Sequence, residues 1–198
     1  GGIEPTLSTD GTLELRSARH PLLMPAVRER LRNAGQTTVD QSSVNEQIPS
    51  EPVPVNLLLI PPITTLVITG PNTGGKTVAL KTAGLVVLMA QAGLHVLAAT
   101  GSRVPVFRSM FTDIGDEQSI SANLSTFSWH ITNIAAMDRS LTFPALLLLD
   151  EIGAGTDPAE GGALGAAIVD HFRRRGAQVI TTTHYEALKS YASTTDGV

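Results

Sequence analysis

From Thr64 onward, short apolar runs alternate with segments whose apolar residues recur every three or four positions, the signature of strands alternating with helices. The pattern predicts strands at Thr64–Thr69, Ala145–Asp150 and Gln178–Thr183, with further strand candidates at Arg103–Phe107 and Met110–Ile114. It predicts helices at Lys76–Gln91, stopped by Gly93, at Thr126–Leu141, at Glu160–Arg174, with Gly176 beyond it, and from Glu186 to Tyr191. Ser125 stands as N-cap of the second of these, with Phe127, Ile131 and Ile134 on one face. Strands this apolar, joined through helices, predict an α/β fold with a parallel sheet covered by helices. Ligands of such sheets bind at the carboxyl ends of the strands.

The earlier part of the chain is less regular. Thr12–Ser17 alternates like a short strand, Arg19-His20-Pro21 breaks it, and Met24–Leu31 fits a short helix. Asn33–Asn56, rich in Gln, Ser, Thr, Pro and Val, has no period and reads as a long surface loop. There is no internal repeat. The expected organisation is an N-terminal strand-and-loop segment over residues 1–62 and a core over residues 63–198 of the same domain.

Composition changes this picture in a few places. With 198 residues, 42% hydrophobic and 16% charged, the chain suffices for one soluble domain with a sizeable core. Aromatics are only 4%, so aliphatic side chains do most of the packing. The absence of cysteine excludes disulfides and thiolate metal sites and fits a reducing compartment. The longest apolar runs, Leu57–Ile60 and Ala145–Leu149, are strand-sized, which argues against a membrane span. Gly1–Asp10 lacks a basic-then-apolar leader, and a cytoplasmic location is expected. Net charge is −4, and the one basic run, Arg173–Arg175, sits at a helix end where the macrodipole favours cations. No basic stripe marks a surface that grips DNA by itself. Between Pro52 and Thr112 there is no acid, while Lys76, Lys81, Arg103 and Arg108 are present, a balance that suits an anionic ligand or a buried segment.

The glycine loop in this acid-free stretch carries the strongest chemistry. Gly70-Pro71-Asn72-Thr73-Gly74-Gly75-Lys76-Thr77 matches G-x-x-x-x-G-K-[ST], follows a strand and opens a helix. The glycines let backbone N–H groups face phosphates, and the helix start presents its positive end to them. Lys76 supplies a charge for the β- and γ-phosphates of ATP, and the Thr77 hydroxyl a ligand for Mg²⁺. Downstream, the apolar strand ends in Asp150-Glu151. Beside a phosphate loop, Asp150 orients Mg²⁺ through water and Glu151 acts on the attacking water. His184 ends the next strand and is placed to meet the γ-phosphate. Gln118 has two readings, a contact to metal or water and a plain loop amide. So has Ser125, a helix cap or part of an anion site at a helix start. His20, His95, His130 and His171 are scattered and receive no chemistry.

The segments GPNTGGKTVALKTAGL, DIGDEQSI, LSTFSWHITNI, LLLLDEIGAGTDPAEG and TTTHYEALK together resemble the MutS family. Within it they resemble the second bacterial subfamily, whose full-length members carry a C-terminal Smr nuclease domain. The resemblance runs from about Leu15 to Ala192. Thr73, Thr77, DIGDEQSI and TDPAEG favour this subfamily, since mismatch-recognising members tend to read GPNMGGKS and DEIGRGTS. The resemblance implies a P-loop NTPase with an ATP-binding-cassette-like parallel sheet flanked by helices, working as a head-to-head homodimer. Each ATP then lies between one subunit's loop and the other's Ser125-Thr126-Phe127, so that Ser125 contacts phosphate in trans and His184 is the switch histidine.

It further implies clamp and lever regions before this domain, the Smr domain after it, and a core cut short at its C-terminal end. Nuclease action is not expected from these residues. The implied work is ATP-driven conformational change on branched or recombining DNA, suppressing recombination. Action on stalled ribosomes and mismatch repair are the alternatives. DNA or ribosome is expected to be held mainly outside this chain. A transporter subunit predicts an LSGGQ-type signature where this chain has LSTF, and a non-hydrolysing sensor predicts loss of Glu151 or His184, which are both present.

Overall fold

The computed structural model describes residues 2–34, 51–71, 74–115 and 126–198. Its parallel sheet has the order β4 (Thr65–Thr69), β8 (Gln178–Thr183), β7 (Ala145–Leu149) and β6 (Ser109–Asp113). The two central strands, β7 and β8, are buried along their whole length, so they read as unbroken runs rather than alternating ones. The polar end of β8, Thr181–Thr183, is buried as well, at the carboxyl edge.

Alternation along β7 divides the core. Leu146 and Leu148 face Leu80, Ala83, Val86 and Val87 of α2 (Lys76–Gln91). Helix and strand approach so closely that a Cβ on Gly84 would lie 2.5 Å from Leu148 Cδ1. Leu147 and Leu149 share the opposite cluster with Ile134 and Met137 of α3 (Thr126–Ser140), Val169 and Phe172 of α4 (Pro158–Arg174), and Leu188 of α5 (Glu186–Thr194).

A second sheet covers the outer side of α2. Its order is β1 (Thr6–Ser8), β5 (Arg103–Pro105), β2 (Leu13–Ala18) and β3 (Val55–Leu59). It is mixed: β1 and β5 run parallel, and β2 is antiparallel to both β5 and β3. Leu13, Leu15, Leu57 and Leu59 join the α2 cluster, so the early segment shares one core with the later one.

Several expectations need correction. Among the described residues the strands form two sheets instead of one. The strand read at Arg103–Phe107 is shorter and belongs to the mixed sheet, a non-local pairing that no local pattern announces. The strands β1 and β3 were not anticipated, and the loop read as Asn33–Asn56 gives way to β3 at Val55, while residues 35–50 lie outside the described ones. The first helix, α1, is Pro25–Asn33, and α4 starts at Pro158 rather than Glu160 because Asp157 caps it through Ala159 N and Glu160 N. Among the described residues no helix is long and apolar enough to cross a membrane.

Candidate nucleotide site

The described residues among those singled out for chemistry converge at the carboxyl ends of β4, β7 and β8. The chain leaves β4 at Thr69 and turns through Gly70 (φ 143°) and Gly75 (φ 76°), conformations that a side chain would strain. Gly75 is the N-cap of α2 and provides no side-chain cap, so the amides of the first turn are left to other acceptors. Lys76, the first residue of α2, is buried, and its Nζ donates to the Gly70 carbonyl at 2.7 Å, folding the side chain back over the loop.

Thr77 Oγ1 donates to Asp150 Oδ2 at 2.8 Å, joining the loop's helix to the end of the acid strand. The other Asp150 oxygen accepts from Thr182 Oγ1 at 2.5 Å, and Thr182 Oγ1 in turn accepts the Glu151 amide at 2.9 Å. Asp150 is buried with both carboxylate oxygens engaged, and its own amide donates to the Asp113 carbonyl at 2.8 Å. The set suits Mg²⁺: a hydroxyl and a carboxylate are hard oxygen donors side by side, and two protein groups leave most of an octahedral shell to water and phosphate. Among the described residues no group of three or more His, Cys, Asp or Glu is placed to hold a metal ion by itself.

Glu151 adopts φ 46°, the left-handed region that a non-glycine residue enters only when its surroundings hold it there. Here the Thr182 bond and an Ala154 N–Glu151 O turn of 3.0 Å hold it. His184 Nδ1 lies 4.0 Å from Glu151 Oε1, with the histidine about half exposed at 47%. The following loop is clamped on α4: a Cβ on Gly161 would lie 2.2 Å from the Gly153 carbonyl, and one on Gly153 would lie 2.1 Å from that of Gly161. Gly161→Ala is therefore expected to destabilise the fold by at least about 1–3 kcal/mol, the range for overpacking. A denaturant midpoint equal to the wild-type value contradicts this packing.

Of the residues expected at the site, Gly70, Pro71, Gly74, Gly75, Lys76, Thr77, Asp150, Glu151 and His184 are described, and Asn72, Thr73, Gln118 and Ser125 lie outside the described residues. Sequence reasoning missed Thr182, Tyr185 and a trio built on a buried acid. Tyr185 Oη donates to Gly153 O at 3.4 Å, and burial, reinforced by the Glu151 and Asp157 carboxylates, pushes its phenol above the usual value. In the trio, the wholly buried Asp113 accepts from His130 Nδ1 at 2.6 Å and Asn133 Nδ2 at 2.8 Å. The hydrogen bond to Asp113 raises the His130 pKa, against the opposing effect of burial. The available signal was an acid ending β6 as Asp150 ends the buried strand beside it. A groove of about 520 Å³ lies at the opposite ends of these strands, lined by Thr64, Ala145 and Gln178 among others, and includes none of these residues.

The family model for MutS domain V matches residues 66–198. The chain is 49% identical over 197 residues to an endonuclease MutS2 of Alkaliphilus metalliredigens, covering 100% of this chain and 22% of that protein. It is 51% identical over 191 residues to that of Symbiobacterium thermophilum, covering 96% and 21%. With that of Halothermothrix orenii it shares 48% over 197 residues, covering 100% and 22%. The chain thus spans about a fifth of the length of these curated relatives. On a domain match over most of its length and near-half identity throughout, the chain belongs to the MutS family, in its MutS2-type branch.

Proposed function

We propose that this chain is the ATP-binding and hydrolysing part of a MutS2-type protein, a P-loop NTPase domain of ATP-binding-cassette type. The observation that carries the reading is the Thr77–Asp150 bond, which brings the hydroxyl of a phosphate-binding loop against the acid at the end of a buried strand. Gly70, Gly74 and Gly75 shape the loop around the phosphates, with Pro71, Asn72 and Thr73 completing it, and Lys76 binds their charge. Thr77 and Asp150 hold Mg²⁺, which supplies charge neutralisation for the transferred phosphoryl group. Glu151 positions and deprotonates the attacking water, and His184, beside it, holds the γ-phosphate. Residues 1–62 belong to the same domain, supported by the core that β2 and β3 share with α2.

In the longer protein the domain works as a homodimer, with Ser125 and Gln118 completing the site, Ser125 from the other subunit. The relatives' name, endonuclease, supports a nucleic acid as the object of the work, and DNA is the reading adopted. Nuclease chemistry and most DNA contact lie in other regions of the protein.

The test is Mg²⁺-dependent ATP turnover by the full-length protein. Asp150→Asn is expected to lower turnover by about 10–100-fold, the usual loss when a carboxylate that orients a metal's ligands is removed. Chelation of Mg²⁺ is expected to abolish turnover. Turnover indifferent to both overturns the assignment.

A further inference from the structure

The trio at the end of β6 has no part in the roles assigned above. Asp113 is wholly buried, and a buried carboxylate is costly unless its oxygens find donors. Both donors come from α3, where His130 and Asn133 stand three residues apart and so share one face. An ionised carboxylate only accepts, which fixes the His130 proton on Nδ1. The Asp113 backbone looks the other way, its carbonyl receiving the Asp150 amide at 2.8 Å. One residue thus holds a helix through its side chain and the metal-orienting acid through its backbone.

A second contact ties the same helix to the catalytic loop. A Cβ on Gly155 would lie 3.1 Å from the Phe127 nitrogen, so the segment that follows Glu151 rests directly on the first turn of α3. The beginning of α3 is therefore clasped between the Asp113 carboxylate and the 151–155 loop. Lys76 and Thr77 stand on a different helix, α2.

We propose that His130 and Asn133 are positioning residues for ATP turnover, acting through Asp113 to fix the start of α3 against Asp150 and the loop that carries Glu151. The proposal rests on the hydrolytic reading above. It separates from a merely structural lock by what it does to kinetics. Misplacing the acids relative to bound phosphate slows chemistry, while Lys76 and Thr77, on a different helix, keep their hold on ATP, so kcat falls by far more than KM rises.

The experiment uses the full-length protein and two readouts, steady-state ATP turnover and amide hydrogen exchange over Phe127–Ile134. His130→Ala is expected to lower kcat by at least about tenfold with KM within about twofold, and to speed exchange in that segment without nucleotide. His130→Asn, whose amide can donate to Asp113 much as Nδ1 does, restores most of both. Asn133→Ala, which keeps the His130 bond, gives the same pattern at smaller size and serves if His130→Ala does not fold. Wild-type kcat in His130→Ala or in a folded Asn133→Ala, or a His130→Asn as slow as His130→Ala, overturns the proposal. A wild-type protein without turnover, whose exchange nonetheless responds to His130→Ala, shows that the hydrolytic reading has failed and that the trio is only a lock.

Discussion

Glu151→Gln lowers ATP turnover at saturating ATP by at least about a hundredfold, in line with the loss of a general base, while ATP still binds. The substitution keeps the length and shape of the side chain and removes its charge and basicity. The backbone is expected to stay in place, because the left-handed turn at residue 151 is held by the Thr182 hydroxyl on the 151 amide and by the Gly153–Gly161 clamp, neither of which involves the carboxylate. His184 is a basic group 4.0 Å away, and it sits at the end of a different strand. A glutamine at position 151 cannot take a proton from water, and His184 is not expected to compensate, since the role proposed for it is to hold the γ-phosphate. The check is single-turnover hydrolysis together with equilibrium ATP binding on the same full-length variant. Near-normal turnover with normal binding moves the catalytic role to another group.

The residues behind that prediction were legible in the sequence because they form a contiguous motif at the end of a strand with no polar interruption. Burial on both faces made β7 and β8 conspicuous, and the glycine loop marked the end of β4. What supports the acids was not legible. Thr182 reaches Asp150 because β7 and β8 pair with Leu149 opposite Thr181, a register that exists only in the folded sheet. The Asp113–His130–Asn133 trio joins residues on either side of 116–125, and a lone histidine on a helix gives no sign of the buried acid it serves. The early strands failed for a different reason. β1 is three residues long, and β3 leaves Leu58 about half exposed, so its run of leucines shows no alternation to read. The partner of β1, β5, follows α2 in the chain, and nothing local distinguishes a strand that stays with the parallel sheet from one that crosses to the mixed one.

Lys76→Ala is expected to abolish measurable turnover and to weaken ATP binding by roughly ten- to a hundredfold. The affinity figure follows from one hydrogen bond to a charged group, about 1.5–3 kcal/mol, at about 1.4 kcal/mol per tenfold. The structure explains why a larger structural collapse is not expected. Lys76 is buried as the first residue of α2, where its aliphatic stem packs and its Nζ holds the Gly70 carbonyl at 2.7 Å. Alanine is the best helix former and keeps α2 intact, while the loop is still closed by the Gly74 N–Pro71 O bond of 3.0 Å. What is lost is the cation at the opening of the helix that, in the proposed reading, exchanges a backbone carbonyl for a phosphate oxygen. Lys76→Arg is not a rescue, because a planar guanidinium on a longer stem does not occupy the position of a compact ammonium. Binding is measured by titration with ATP and Mg²⁺, and folding by the denaturant midpoint of each variant. A folded Lys76→Ala protein with unchanged ATP affinity removes the loop from the site and with it the hydrolytic reading of this domain.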